Sequence, residues 1–230
     1  MGSAEALPTA VVEWGEANRR RFVTRLRRWY SHHKRHFPWR EKRDPYRVFV
    51  AEFMLQRTGA SQVLAVYEGF LDAYPTLQDL LHATEDDLRT RLAPLGRTDR
   101  YKVLIRALRQ IAETCGGQLP RSLDRLLELP GVGPYTARAI LCFGHGRRLG
   151  LIDPNVVRVY SRVLGVTFGA RPHMDRAAWA IADWMLPQRR VQDFNYALLD
   201  FAAAVCRIRR PQCTECPMVD LCRFAEEGAA

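Results

Sequence analysis

No run in the 230-residue chain is long and apolar enough to cross a bilayer. The N-terminus, Met1 to Ala10, lacks the basic-then-apolar pattern of an export signal. Both absences point to a cytoplasmic protein without a membrane partner. Strand-period alternation is almost missing, apart from a short extended piece at Leu149–Ile152, and there are no internal repeats or low-complexity tracts. Lysine is scarce, at 3 residues against 32 Arg. A GC-rich genome accounts for that ratio, but it does not account for where the basic residues sit. Acidic residues are missing from one stretch: between Arg19 and Arg47 only Glu41 and Asp44 face twelve Lys and Arg, while the remainder of the chain is balanced. The whole net charge of +10 therefore lies in one N-terminal segment. Such a face attracts polyanions by Coulomb steering and counterion release, and Arg suits bidentate phosphate contacts.

Apolar residues make up 47% and charged residues 26%, which is the balance of a soluble globule with a substantial core. Residues 1–13 read as a loose leader. An amphipathic helix with a basic outer face follows from Trp14 to His36, broken by Phe37-Pro38-Trp39-Arg40. Trp29 and Trp39 are assigned to the core. Helical patterns continue over 46–57, 60–73, 77–82, 85–92, 101–114, 123–129, 135–143, 154–164, 174–186 and 194–206, with Pro and Gly between them. The fold class is all-α, with about ten helices of ordinary length.

The centre of the pattern is Leu129-Pro130-Gly131-Val132-Gly133-Pro134-Tyr135-Thr136-Ala137. Gly131 and Gly133 can take backbone angles closed to other residues and leave no side chain between the main chain and a ligand, with Pro134 at the first turn of the next helix. A tight hairpin of this kind presents free amides at a helix N-terminus, where a phosphate binds. Gly-x-Gly between helices is also an ordinary turn, and this stretch alone does not separate the two readings.

Four of the six cysteines fall in the last 25 residues as Cys206-x6-Cys213-x2-Cys216-x5-Cys222. Without an export signal, disulfides are disfavoured, and four thiolates in a short loop suit zinc or an iron–sulfur cluster. The uneven spacing, without paired Cys-x2-Cys knuckles, tilts the reading to a cluster. Cys115 and Cys142 stand apart on helical stretches and are assigned to the core.

The Leu-Pro-Gly-Val-Gly hairpin, an Asp about twenty residues later and the four-cysteine ending together resemble the endonuclease III/MutY superfamily of DNA glycosylases, from Phe37 to Cys222. The resemblance implies two helical domains, residues 44–147 as a six-helix barrel and 1–43 with 148–230 carrying a [4Fe-4S] cluster on Cys206, Cys213, Cys216 and Cys222. It implies double-stranded DNA with a mismatched or damaged base as partner, the extruded base lying in the cleft between the domains. It also implies a nucleoid-associated monomer and a monovalent cation at the hairpin. Three features favour the thymine-DNA mismatch branch. Tyr135 stands where backbone-cleaving members carry a Schiff-base lysine, and a phenol cannot form an imine, so strong lyase activity is not expected. The run Asp44 to Thr58 is shared by MutY and the archaeal thymine enzyme, while Phe194 to Phe201 is closer to the thymine enzyme. Leu95 to Arg100 departs from the MutY pattern, and the chain stops without MutY's domain for reading 8-oxoguanine. The expected reaction is removal of T or U opposite G, with A opposite G or 8-oxoguanine, or DNA-structure binding without catalysis, as alternatives.

Asp153 is the first catalytic candidate: a fixed carboxylate stabilises positive charge developing on deoxyribose. Asp-Pro-Asn is equally a helix N-cap, and the capping amides are expected to hold the carboxylate ionised. Glu52 lies in an apolar run, where burial would raise its pKa and equip it to position water or donate a proton. Tyr135 would line the site near sugar or base. Gln56 and Arg57 align with residues that fill the gap left by a flipped nucleotide. Gly131, Val132, Gly133 and Thr136 of the hairpin, with His145 and the Arg147–Arg148 pair, are expected phosphate contacts.

Overall fold

The structure is a computed structural model that describes residues 7–96 and 100–228. Contacts divide it into two compact units, Met1–Arg35 with Arg148–Ala230, and His36–Arg147. The N-terminal crossover thus falls before residue 44, because Trp39 is buried and packs edge-on against Tyr67 at 5.3 Å. Among the described residues there is no strand, and no helix is long and apolar enough to cross a membrane. Of the segment Leu95 to Arg100, residues 97–99 lie outside the described residues.

The unit His36–Arg147 contains α2 (Pro38–Glu41), α3 (Pro45–Leu55), α4 (Ala60–Ala73), α5 (Leu77–Leu81), α6 (Glu85–Leu92), α7 (Arg100–Thr114), α8 (Leu123–Leu127) and α9 (Pro134–Ala139). Local chemistry starts most of them. Asp44 caps α3 by accepting from Arg47 N at 2.8 Å, Thr76 and Thr84 cap α5 and α6, and Ser122 caps α8. α3 is the central helix of this unit: Tyr46 and every residue from Val48 to Met54 are buried. α7 shows Leu104, Ala107, Leu108 and Ile111 to the core at helical spacing. α9 passes into a π turn, Ile140–Gly144, where a Cβ on Gly144 would stand 2.6 Å from Pro45 Cα. Glycine there lets the turn lie directly on the start of α3.

The other unit contains α1 (Thr9–His33), α10 (Pro154–Leu164), α11 (Arg176–Trp184), α12 (Val191–Ala204) and α13 (Arg223–Glu226). α1 begins earlier than the sequence pattern suggests. Residues Thr9 to Glu13 are helical and Val11 is buried, with a kink at Gly15 where φ is +81°. The inner face of α1 lies on α12 through Phe22, Leu26 and Trp29, whose ring meets Phe201 at 5.6 Å. Trp39 is core, whereas Trp29 is only half-buried and stacks on His33. Each fully buried side chain of this size contributes about 1.5–3 kcal/mol. Cys142 is buried, but Cys115, one residue beyond the end of α7, is half-exposed beside Arg125.

Candidate functional site

Within His36–Arg147, the α8–turn–α9 hairpin is attached to the end of α3. Gln56 Nε2 donates to the Gly131 carbonyl at 2.8 Å, and Phe53 lies beneath Gly131. Gly131 has the left-handed φ of +78° that favours glycine. Gly133 makes no use of that freedom: its φ is −88°, open to any residue. A Cβ on Gly133 would meet nothing within 4 Å, so its glycine leaves the outer edge of the bend clear. Val132 and Thr136 are buried, so their side chains are not presented to a ligand at the hairpin. This follows from the turn: Val132 N already donates to Leu129 O at 3.0 Å, which rolls its side chain inward.

Gln56 therefore braces the hairpin in addition to any role toward a nucleotide. Arg57, next to it, is exposed and sits at φ +56°. A non-glycine residue there costs of order 1 kcal/mol or more, which the end of α3 must offset. Glu52 is 8% exposed in the apolar run of α3, with the Phe49 and Phe53 rings on the same helix. Tyr135 is half-buried in the first turn of α9. His145 is half-buried just after the π turn. Among the described residues its Nε2 is enclosed without a hydrogen-bond partner, and burial, then Arg121 and Arg147, hold its pKa below the usual value. Arg147 and Arg148 are exposed, but each commits part of its guanidinium to carbonyls, Arg147 to Arg121 O and Arg148 to Leu186 O and Pro187 O.

Asp153 lies in the other unit, at the N-cap of α10. Oδ1 accepts from Val156 N at 2.7 Å, as a cap should, and Oδ2 accepts from Asn155 Nδ2 at 2.9 Å. Asn155 is held in turn: its Oδ1 accepts from Arg158 Nη2 at 3.1 Å, and Arg158 Nε donates to the Cys206 carbonyl at 2.8 Å. A chain of hydrogen bonds thus runs from the carboxylate to the first of the four C-terminal cysteines. The capping amides lower the Asp153 pKa as expected, but burial outweighs them in setting the direction of the shift. Burial raises the Asp153 pKa above the ordinary 3.8, against the pull of Val156, Asn155 and Arg158. No signal in the sequence marks Arg158, because its acceptors are scattered between 155 and 206 in the chain.

The four C-terminal cysteines share one neighbourhood. Arg162 Nη1 lies 3.5 Å from Cys206 Sγ, the Met218 amide 3.4 Å from Cys216 Sγ, and Cys222 Sγ 3.3 Å from the Arg162 carbonyl oxygen. Burial pushes the Cys216 thiol up to about 12, with Cys222, Cys206 and Cys213 adding to the rise. Among the described residues, no three His, Cys, Asp or Glu side chains form the tight group that would hold a single metal ion. Between Cys206 and Cys213 the loop is basic and exposed, with Arg207, Arg209 and Arg210. The cysteine pattern masks this feature in the sequence.

Residues 115–143 match the helix-hairpin-helix motif. The chain is 41% identical over 214 residues to a thymine-DNA glycosylase of Aeropyrum pernix, covering 91% of this chain and 94% of that one. It is 38% identical over 207 residues to the adenine DNA glycosylase of Homo sapiens, covering 85% of this chain and 38% of that protein. Among solved structures, a thermostable thymine-DNA glycosylase superposes with a TM-score of 0.85 at 32% identity, covering 92% of this chain and 98% of that one.

Proposed function

The chain belongs to the helix-hairpin-helix DNA glycosylases of the endonuclease III/MutY superfamily, and we propose that it hydrolyses the N-glycosidic bond of T or U mispaired with G, without strong lyase activity. The observation that carries the catalytic reading is the double engagement of Asp153. A cap needs only Oδ1; the second oxygen has its own donor in Asn155, itself held by Arg158. The bond between C1′ and the base nitrogen breaks with its electron pair leaving on the base. The ionised Asp153 stabilises the positive charge spread over C1′ and the ring oxygen. A water oxygen bonds to C1′, and the proton it loses balances the one gained by the departing base. Glu52 orients that water, and Tyr135 contacts the sugar or the base without forming an imine.

Identity to the human adenine enzyme favours a second reading, excision of A opposite G or 8-oxoguanine, in which Glu52 protonates the base. One assay separates them. On a panel of single-mismatch duplexes, release of T or U opposite G is expected, with strand cleavage only after alkali and no borohydride-trapped complex. Release of A alone would establish the second reading, and a trapped complex would overturn the monofunctional mechanism.

Four thiols in one loop, with an amide and a guanidinium directed at two of them, fit a thiolate-ligated cluster. We assign Cys206, Cys213, Cys216 and Cys222 to a [4Fe-4S] cluster. When bound, it supplies a cross-link for a segment with little core of its own.

The basic excess also receives a role. On α1, Arg19 pairs with Glu16, Arg21 and Arg25 pair with Asp220, and just beyond the helix Arg35 pairs with Asp200. Arg20, Arg27, Arg28 and Lys34 are exposed on the outer face and take part in none of the described ion pairs. Replacing these four by Ala should flatten the dependence of log K for undamaged duplex on log salt. The slope should fall by about 0.9 for each phosphate no longer neutralised, read by fluorescence anisotropy. An unchanged slope would place the DNA elsewhere.

A further inference from the structure

Asp153 is preceded by five residues, Arg148 to Ile152, that carry no helix and pair with no strand, yet every one is tied to its own unit. Arg148 donates to the Leu186 carbonyl at 3.0 Å. The Leu149 carbonyl accepts from Asn195 Nδ2 at 3.0 Å. Gly150 N donates to Asp183 Oδ1 at 2.6 Å, and a Cβ on Gly150 would meet Ala182 backbone at 2.4 Å. Leu151 and Ile152 are buried. α11 supplies Asp183 and α12 supplies Asn195, so two helices hold the main chain at adjacent residues, one by its carbonyl and one by its amide.

We propose that Asp183 and Asn195 are positioning residues for the reaction: they set the register of the lead-in to Asp153 and thereby the placement of its carboxylate. The physical case is one of length and cost. Asn195 is 2% exposed, and an amide is buried that deeply only with its hydrogen bonds made. An extended segment without a ladder depends on side-chain anchors of this kind to define its register, and Leu149 and Gly150 stand only four and three residues from Asp153. A shift of the segment moves the N-cap of α10 and the carboxylate with it. A displacement of about 1 Å in a catalytic group can cost on the order of a hundredfold in rate. The Gly150 contact acts in the same sense, because any side chain there would push the segment off α11.

The proposal rests on the reading of Asp153 as the catalytic carboxylate, and the test separates the two. Asp183→Ala, Asp183→Asn, Asn195→Ala and Asp153→Asn are compared in full-length protein, by single-turnover excision at saturating enzyme and by the Kd for the same duplex. Asp183→Ala and Asn195→Ala should each lower the excision rate by about tenfold to a hundredfold, with Kd within about twofold of the parent. Asp183→Asn keeps an oxygen that accepts from Gly150 N and should recover most of the rate, which a general loss of stability at this site would not predict. Should Asp183→Ala fail to fold, Asn195→Ala and the Asp183→Asn rescue still decide the matter. If Asp153→Asn is inactive while both Ala variants excise at the parent rate, or lose rate only in step with Kd, the positioning role is wrong. If Asp153→Asn is itself active, the catalytic reading fails and the proposal fails with it.

Discussion

Asp153→Asn lowers the single-turnover excision rate by roughly a hundredfold to a thousandfold while duplex binding persists, the loss expected when a fixed stabilising charge is removed. The substitution keeps an oxygen for Val156 N but turns an NH2 toward Asn155 Nδ2, so one hydrogen bond is preserved and one opposed. The charge works the other way. Burial raises the folded-state pKa of Asp153, so its ionisation costs stability as the pH rises above 3.8, in full once the raised value is passed. A neutral side chain removes that cost. The two effects oppose each other, and Tm should move by no more than about 4 °C in either direction. The pH profile gives a second readout. Excision needs the ionised form, so the parent rate falls as the pH drops through the raised pKa, and the acid limb lies above 3.8. Residual activity of the Asn variant should lack that limb. A variant with full activity, or a parent profile flat down to the ordinary carboxylate range, would remove Asp153 from the chemistry.

Cys213→Ser has the second large effect, and it acts on stability first. A cluster on the four cysteines would join residues 206 to 222, a stretch whose 3-10 turns bury few side chains, among them Met218 and Leu221. Binding free energy in such a segment is folding free energy. Loss of one ligand should lower Tm by roughly ten degrees or more, together with loss of iron and acid-labile sulfide, which the parent should hold in equal amounts. Excision should fall as well, because the Cys206 carbonyl holds Arg158 and Arg158 holds Asn155 against Asp153. A parent protein containing zinc, or a serine variant with unchanged melting and activity, would refute the assignment.

The two effects differ in how openly the sequence displays their causes. The cysteine spacing is local, and so are the Asp-Pro start of α10 and the Gly-Val-Gly bend. Each is a contiguous pattern whose chemistry depends on neighbours in the chain, and α10 and the bend sit where that pattern places them. The start of α1 is harder to read, because Gly15 interrupts the helical pattern and Val11 is buried only through contacts made after folding. Cys115 has a helical position that suggests the core, but it falls one residue beyond the end of α7 and is half-exposed.

The charge states are less legible. The sequence places Asp153 beside capping amides, which lower a carboxylate pKa, but desolvation comes from residues far away in the chain and outweighs them. His145 likewise stands in a basic stretch, and the fold encloses its Nε2, which lowers its pKa below the ordinary value. Local sequence alone determined most of the helices, the Asp-Pro start of α10, the hairpin and the thiol set, though not the start of α1 or the short α2, because short-range spacing is enough to specify much of the backbone conformation and the ligand type. Only tertiary structure decided which side chains hold those parts still. Gln56 on Gly131, Arg158 on Cys206, and Asp183 and Asn195 on the lead-in to Asp153 join residues 33 to 75 positions apart, and no periodicity encodes a bond across that separation.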